Sequence, residues 1–380
     1  MHRISLNILL LVFLNPLITD AVRGVQMPTF PTNGRLTLGP EGMLTASVHL
    51  ADLDSDHDLD IIVANGRHWP QRNQLFLNQT RNRFTVQRPL GSDATTTYAT
   101  VPADLDGDGD IDIAVGNDMA PNRVFFNDGK GRFAPGGIFG ETASNRNLTL
   151  ADIDRDNDID ILTACRGGHN MIYLNNGKGS FSEGIPYGTG DDSTINVAVG
   201  DFNRDGHPDL ALANRGGSGS CLLINDGFTR FESRIQIGNP QTQTRGIAFA
   251  DLNQDGNLDL VTANIGAENR VFFGDGNTAF RSVSSFGRAD GKSYALGVAD
   301  MNNDQQPDVV IGNMQQLNSV FFNDGSGTLS EPINFGDPSE MTYGVALGDV
   351  NDDGRVDIIV ANSGSPNRIH LNQKNRKTKN

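Results

Sequence analysis

Asp104-Leu105-Asp106-Gly107-Asp108-Gly109-Asp110-Ile111-Asp112, followed by the apolar run Ile113-Ala114-Val115, is the stretch that decides the fold. It places carboxylates at positions 1, 3, 5 and 9 of a tight loop and opens directly into a strand. Asp-x-(Asp/Asn)-x-Asp-x-x-x-Asp occurs seven times, and the first Asp is Asp52, Asp104, Asp152, Asp201, Asp251, Asp300 and Asp349, a spacing of 48 to 52 residues. Oxygen ligands in that pattern suit a hard cation, and calcium accepts six to eight oxygens at relaxed geometry. The expected ligands are Asp52, Asp54, Asp56 and Asp60; Asp104, Asp106, Asp108 and Asp112; Asp152, Asp154, Asp156 and Asp160; Asp201, Asn203, Asp205 and Asp209. The series continues with Asp251, Asn253, Asp255 and Asp259; Asp300, Asn302, Asp304 and Asp308; Asp349, Asn351, Asp353 and Asp357. Up to seven Ca2+ sites follow.

The rest of the repeat supplies the architecture. In the second copy Tyr98–Ala103 leads into the acidic loop. Ile113–Val115 and Arg123–Phe126 read as strands, Asn127-Asp128-Gly129-Lys130-Gly131 as a hairpin, and Arg132-Phe133 opens a fourth strand. Four short strands at a period near 50 predict an all-β, seven-bladed β-propeller of four-stranded antiparallel blades, with one acidic loop between the first and second strand of each. The chain resembles the FG-GAP/VCBS repeat family, whose calcium-loop propellers also form the head of integrin α-subunits. The resemblance covers roughly residues 33–372 and rests on Asp104-Leu-Asp-Gly-Asp-Gly and Asp112-Ile-Ala-Val-Gly-Asn117. It implies calcium at the turns between first and second strands. It implies no single activity, because such propellers serve as adhesion heads, lectins and companions of polysaccharide enzymes.

Three domains are expected: a signal peptide at 1–21, the propeller at 22–372 and a basic disordered tail at 373–380. Ile8–Leu14 is an apolar run too short to span a bilayer, and Thr19-Asp20-Ala21 fits a cleavage site, so the expected location is extracellular or periplasmic. The seventh copy stops after its third strand, so Arg35–Leu38 is expected to complete blade seven and close the ring. The formal charge of −16 is mostly metal-ligand acidity; seven calcium ions would bring it to about −2, which argues against nucleic acid as a partner. Cys165 stands where six copies have Asn at the end of the second strand, and Cys221 follows Ser220, which stands where six copies have Asn at the start of the third; the two lie on adjacent blades, so a Cys165–Cys221 disulfide is a candidate.

Two ligand sites are expected on the face opposite the acidic loops, where loops vary on a rigid scaffold. One is Asn65–Arg72, holding the single Trp: Arg67, His68, Trp69 and Arg72 suit a sugar ring or a carboxylate. The other lies six residues before each first Asp: Ala46, Tyr98, Arg146, Ile195, Arg245, Tyr294 and Tyr343, a ring at the pore that could hold an acidic glycan or simply plug the channel. No nucleophile elbow, His-Glu-x-x-His or phosphate loop is present. The expected function is a secreted calcium propeller that binds glycans or a protein partner. The alternatives are a carbohydrate-active enzyme of lyase or hydrolase type and a calcium-stabilised scaffold. Asn302, Gln305 and Pro307 make the sixth acidic loop the expected weakest site.

Overall fold

The computed structural model describes residues 27–227 and 229–374. Among them are seven four-stranded antiparallel sheets and one two-stranded pairing. Blade one is Thr45–Ala51, Asp60–Asn65, Gln74–Leu77 and Val86–Pro89, paired in that order from the centre outward. The first strands of neighbouring blades touch all the way around the ring. The second strands are buried along their whole length in six blades and up to the last residue, Ile265, in the fifth, which is why they read as unbroken apolar runs such as Ile61–Ala64 rather than as alternation.

Seven apolar clusters hold the molecule, and they draw on adjacent blades. Leu53, Ile62, Leu75, Leu77 and Leu90 of blade one pack with Ile113, Val115 and Phe125 of blade two. Burial of apolar area between blades is worth about 25 cal/mol per Å², and no blade could bury its faces alone. Among the described residues no helix is long and apolar enough to cross a membrane.

The ring closes as the sequence predicts, with a shorter strand. Asn33 caps a 3-10 turn over Gly34–Leu36, its Oδ1 accepting the Arg35 N–H at 2.9 Å. Only Thr37–Leu38 then pair with Asn367–His370 as the outer strand of blade seven. A second clasp was not foreseen: Pro28–Thr29 pair with Gln373–Lys374, two residues assigned from sequence to the tail. The Leu371 N–H donates to Pro31 O at 3.0 Å, and Phe30 packs on Phe335 at 5.8 Å. The signal peptide and residues 375–380 lie outside the described residues.

The disulfide expectation is corrected: Cys165 and Cys221 are both free and buried. In five blades the second-strand Asn accepts a hydroxyl from the start of the first strand, as Asn65 does from Thr45 at 2.9 Å. Blade three exchanges the partners, so the Cys165 thiol donates to Asn145 at 3.0 Å. Cys221 sits in the apolar cluster between blades three and four, and burial pushes its thiol up to about 12. In its blade Ser220 takes the usual Asn part, its Oγ accepting the Asn214 N–H at 3.2 Å.

His370 is buried beside Phe335, and its Nδ1 lies 3.2 Å from Phe30 O. Burial pushes its pKa down to about 4. A folded value below the unfolded 6.5 means the unfolded chain takes up the proton first, so stability is lost as pH falls from about 6.5 to about 4. The loss is about 3 kcal/mol. His49 has the same sign and a value of about 4. His370→Gln should therefore show a smaller fall in melting temperature between pH 7 and pH 4.5 than the parent chain; an equal fall would refute the assignment.

Candidate functional site

Each acidic loop is built by its own carboxylates before any ion is considered. In all seven, Oδ2 of the first Asp accepts the N–H of position 6, as in His57 to Asp52 at 2.9 Å and Gln305 to Asp300 at 2.8 Å. Oδ1 of the position-5 Asp accepts the N–H of position 7. Position 6 is left-handed throughout, and so is position 4, which the sequence did not single out. Glycine adopts that conformation freely, whereas His57 at φ 71° and Gln305 at φ 70° hold it under strain.

The position-9 Asp differs from the others. All seven are fully buried. Oδ2 accepts the N–H of the residue after the first Asp, at 2.8–3.3 Å. Oδ1 accepts the N–H at the end of the third strand, at 2.7–3.0 Å, from Asn78, Asn127, Asn175, Asn225, Gly274, Asn323 and Asn372. Five of those Asn side chains reach across to the preceding blade; Asn127 Nδ2, for instance, donates to Leu53 O at 2.8 Å. Gly274 stands where Phe202 and Leu258 O leave no room: an added Cβ would lie 2.2 Å from that oxygen. Spacing shows position 9 as a ligand; only the fold shows it as the staple of its blade.

The donor set fits a hard cation. Carboxylate oxygens of Asp52, Asp54 and Asp60 gather within 4.8 Å, as do those of Asp104, Asp106 and Asp108, and of Asp152, Asp154 and Asp160. Asp54 Oδ1 and Asp201 Oδ1 are buried with no hydrogen-bond partner. Burial first, and the adjacent Asp56 second, push the Asp54 carboxyl above its usual range, and burial raises Asp60 to about 7. Loops four to seven carry Asn at position 3, so they gather fewer carboxylates. In loops five and seven a guanidinium lies on the position-5 Asp: Arg281 on Asp255 at 2.8 Å and Arg355 on Asp353 at 2.6 Å.

The opposite face joins the two ligand sites that the sequence treated separately. In every blade the pairing of first and second strands slips by one residue, between Thr45 and Ser47 in blade one and at the matching place in the others. The residue skipped is Ala46, Tyr98, Arg146, Ile195, Arg245, Tyr294 or Tyr343, so each member of the expected ring is a β-bulge, a device that re-aims a side chain. All but Ile195 line a cavity of about 170 Å³ at the channel mouth. The Arg67 guanidinium lies 4.0 Å over Tyr343, and Arg146 lies 4.5 Å over Tyr98. Tyr294 meets Tyr343 edge-on at 5.0 Å.

His68 is fixed between them. Arg67 Nη1 can only donate to its Nε2, at 2.9 Å, so Nδ1 carries the proton and faces the Tyr98 hydroxyl at 3.3 Å. Burial, then Arg67 and Arg146, lower its pKa, which keeps the ring neutral. Trp69, 72% exposed, and Arg72 stand outside the cavity, on the loop that carries Arg67. Asp118 binds Arg146 at 2.8 Å; Asp192 and Asp290 are held by Arg234 and Arg288. Arg166 and Arg215 were missed, although each directly follows the residue that closes a second strand (Cys165 and Asn214), a position that lies on the same face.

A propeller whose blades each carry one acidic loop is the class that this fold and these loops define. The chain belongs to the FG-GAP-like repeat family, whose model matches residues 52–115, 104–163, 156–212, 201–262, 251–311 and 300–360. The search of curated proteins found no match. Among solved structures, the crystal structure of BBS1N in complex with ARL6DN, soaked with mercury, aligns at 12% identity and a TM-score of 0.61, over 93% of this chain and 99% of that one. The same complex soaked with lead aligns at 13% and 0.60, over 94% and 99%. At such identity the likeness is one of fold.

Two variants separate staple from ligand. In EGTA, Asp112→Ala should cost about 3 kcal/mol or more, since it strands two buried N–H groups, while Asp106→Ala should cost under about 1. Equal losses in urea titration would overturn the distinction. Gln305→Gly should add about 0.5–1 kcal/mol by relieving the left-handed residue; a lower urea midpoint would count against it.

Proposed function

We propose that this chain is an exported, calcium-stabilised propeller that serves as a binding module and engages a glycan or a protein partner through the loops opposite its acidic face. The observation that carries the reading is the convergence at the channel mouth, where Arg67 and His68 of a variable loop meet the bulge residues Tyr98, Arg146 and Tyr343. Trp69 and Met119, 72% and 69% exposed, lie on loops of the same face in adjacent blades. Large amphipathic side chains beside arginine are the usual anchors of a binding surface.

Calcium is assigned to the other face. Positions 1, 3 and 5 of each loop supply the open oxygens, Asp54 Oδ1 and Asp201 Oδ1 among them, and position 9 adds its buried carboxylate. The bound ion would supply charge neutralisation and oxygen ligation. The residues themselves fix the loops and hold the blades in register. A protein partner stays within the reading because the aligned BBS1N structure is that of a complex with another protein, ARL6DN.

Removing calcium should lower the melting temperature by at least about 10 °C, because each filled site contributes roughly 2–3 kcal/mol at saturating ion. An unchanged value in excess EGTA would remove calcium from the reading. On a glycan array and in pull-downs run in calcium, Arg67→Ala with Trp69→Ala should weaken binding about tenfold without altering the melting temperature. Binding untouched by the double variant would place the partner elsewhere.

A further inference from the structure

Charge is distributed oddly across this molecule. The chain is formally −16, yet its channel mouth is cationic. Arg67, Arg146 and Arg245 stand in or over the cavity wall, Arg215 acts on Arg245, and Arg166 acts on His68. Asp118, already bound to Arg146, is the carboxylate that shares this field.

Two of these guanidinium groups lack acceptors. Arg245 lines the cavity with no hydrogen bond or carboxylate among the described residues, only the Tyr294 and Tyr343 rings at 5.8 and 6.0 Å. Burial pushes its pKa down to about 10. Arg215 Nε is buried with no partner. Two polar groups of the cavity wall, Ser47 Oγ and His49 Nδ1, are buried and unpaired. Leaving such groups unsatisfied costs about 1–3 kcal/mol each, so the site is built for something that brings both negative charge and hydroxyls.

We propose that the channel mouth is a receptor for a single uronic acid residue at the end of a glycan, its carboxylate facing Arg245 and its hydroxyls meeting Ser47 and His49. This rests on the binding-module reading above and names the ligand class for that face. Size is compatible: the cavity of about 170 Å³ leaves room for a sugar ring at the channel mouth. Tyr294 and Tyr343, edge-on to each other in the cavity wall, supply apolar surface for a pyranose. A bare inorganic anion would leave those rings, and the hydroxyl-seeking groups, without a partner. A neutral sugar would leave the guanidinium groups without one.

The test uses the full chain in calcium, with titration calorimetry and the fluorescence of Trp69, the single tryptophan. Glucuronate and galacturonate are the probes; glucose, acetate and sulfate are the controls. A uronate should bind at least tenfold more tightly than any control. Arg245→Gln should abolish that preference, and Ser47→Ala should weaken uronate binding several-fold, both with an unchanged melting temperature. Should Arg245→Gln not fold, Ser47→Ala must still weaken uronate binding several-fold for the site to stand. Sulfate or acetate binding as tightly as uronate would reduce the site to charge alone and overturn the proposal, as would equal binding of glucose or no binding at all. If uronate fails while the Arg67/Trp69 double variant still loses its partner, the uronate site falls and the binding module survives.

Discussion

The structure depends on one buried carboxylate per blade. The position-9 Asp ties the N–H at the start of its loop to the N–H at the end of the third strand, as Asp112 does with Leu105 and Asn127. In five blades the Asn it fixes then donates to a carbonyl of the preceding blade, as Asn127 does to Leu53 and, across the ring closure, Asn78 to Val350. One charged group thus sets strand order within a blade and the distance to the next. A charge so buried is tolerated because two N–H groups meet it, and hydrogen bonds to a carboxylate are the stronger kind. Apolar clusters between blades then act on a geometry already fixed.

The same regularity makes a site possible on the other face. A bulge at one place in seven first strands re-aims seven side chains, six of which line the channel mouth, and nothing in strand pairing cares what they are. The scaffold is therefore free to put Tyr, Arg, Ile or Ala there, and the variation among blades at this position is chemistry rather than folding. Carboxylates collect at one end of the channel axis and guanidinium groups at the other. A cation is favoured at the first and an anion at the second, each by local charge rather than by the net charge of the chain.

The family repeat, the blade count, the strand order and the ring members were all legible, because each recurs seven times at fixed spacing and repetition separates pattern from accident. The cysteines show where that logic stops. Cys165 and Cys221 break the pattern on neighbouring blades, and proximity along the repeat suggested a bond. In the fold Cys165 has traded roles with Asn145 across its own blade, a pairing of residues twenty apart that strand register alone creates.

The sequence by itself determined the propeller, the placement of its acidic loops and the identity of the residues at the pore, since periodicity encodes all three. Only the tertiary structure decided what those residues do to one another. Position 9 became a staple because burial leaves its oxygens facing backbone N–H groups. Arg67 and His68 became part of the pore because a loop from blade one folds over Tyr343 of blade seven and Tyr98 of blade two. The first joins residues 276 positions apart, brought together by closing the ring, and the second joins neighbouring blades 30 positions apart; no local spacing carries either.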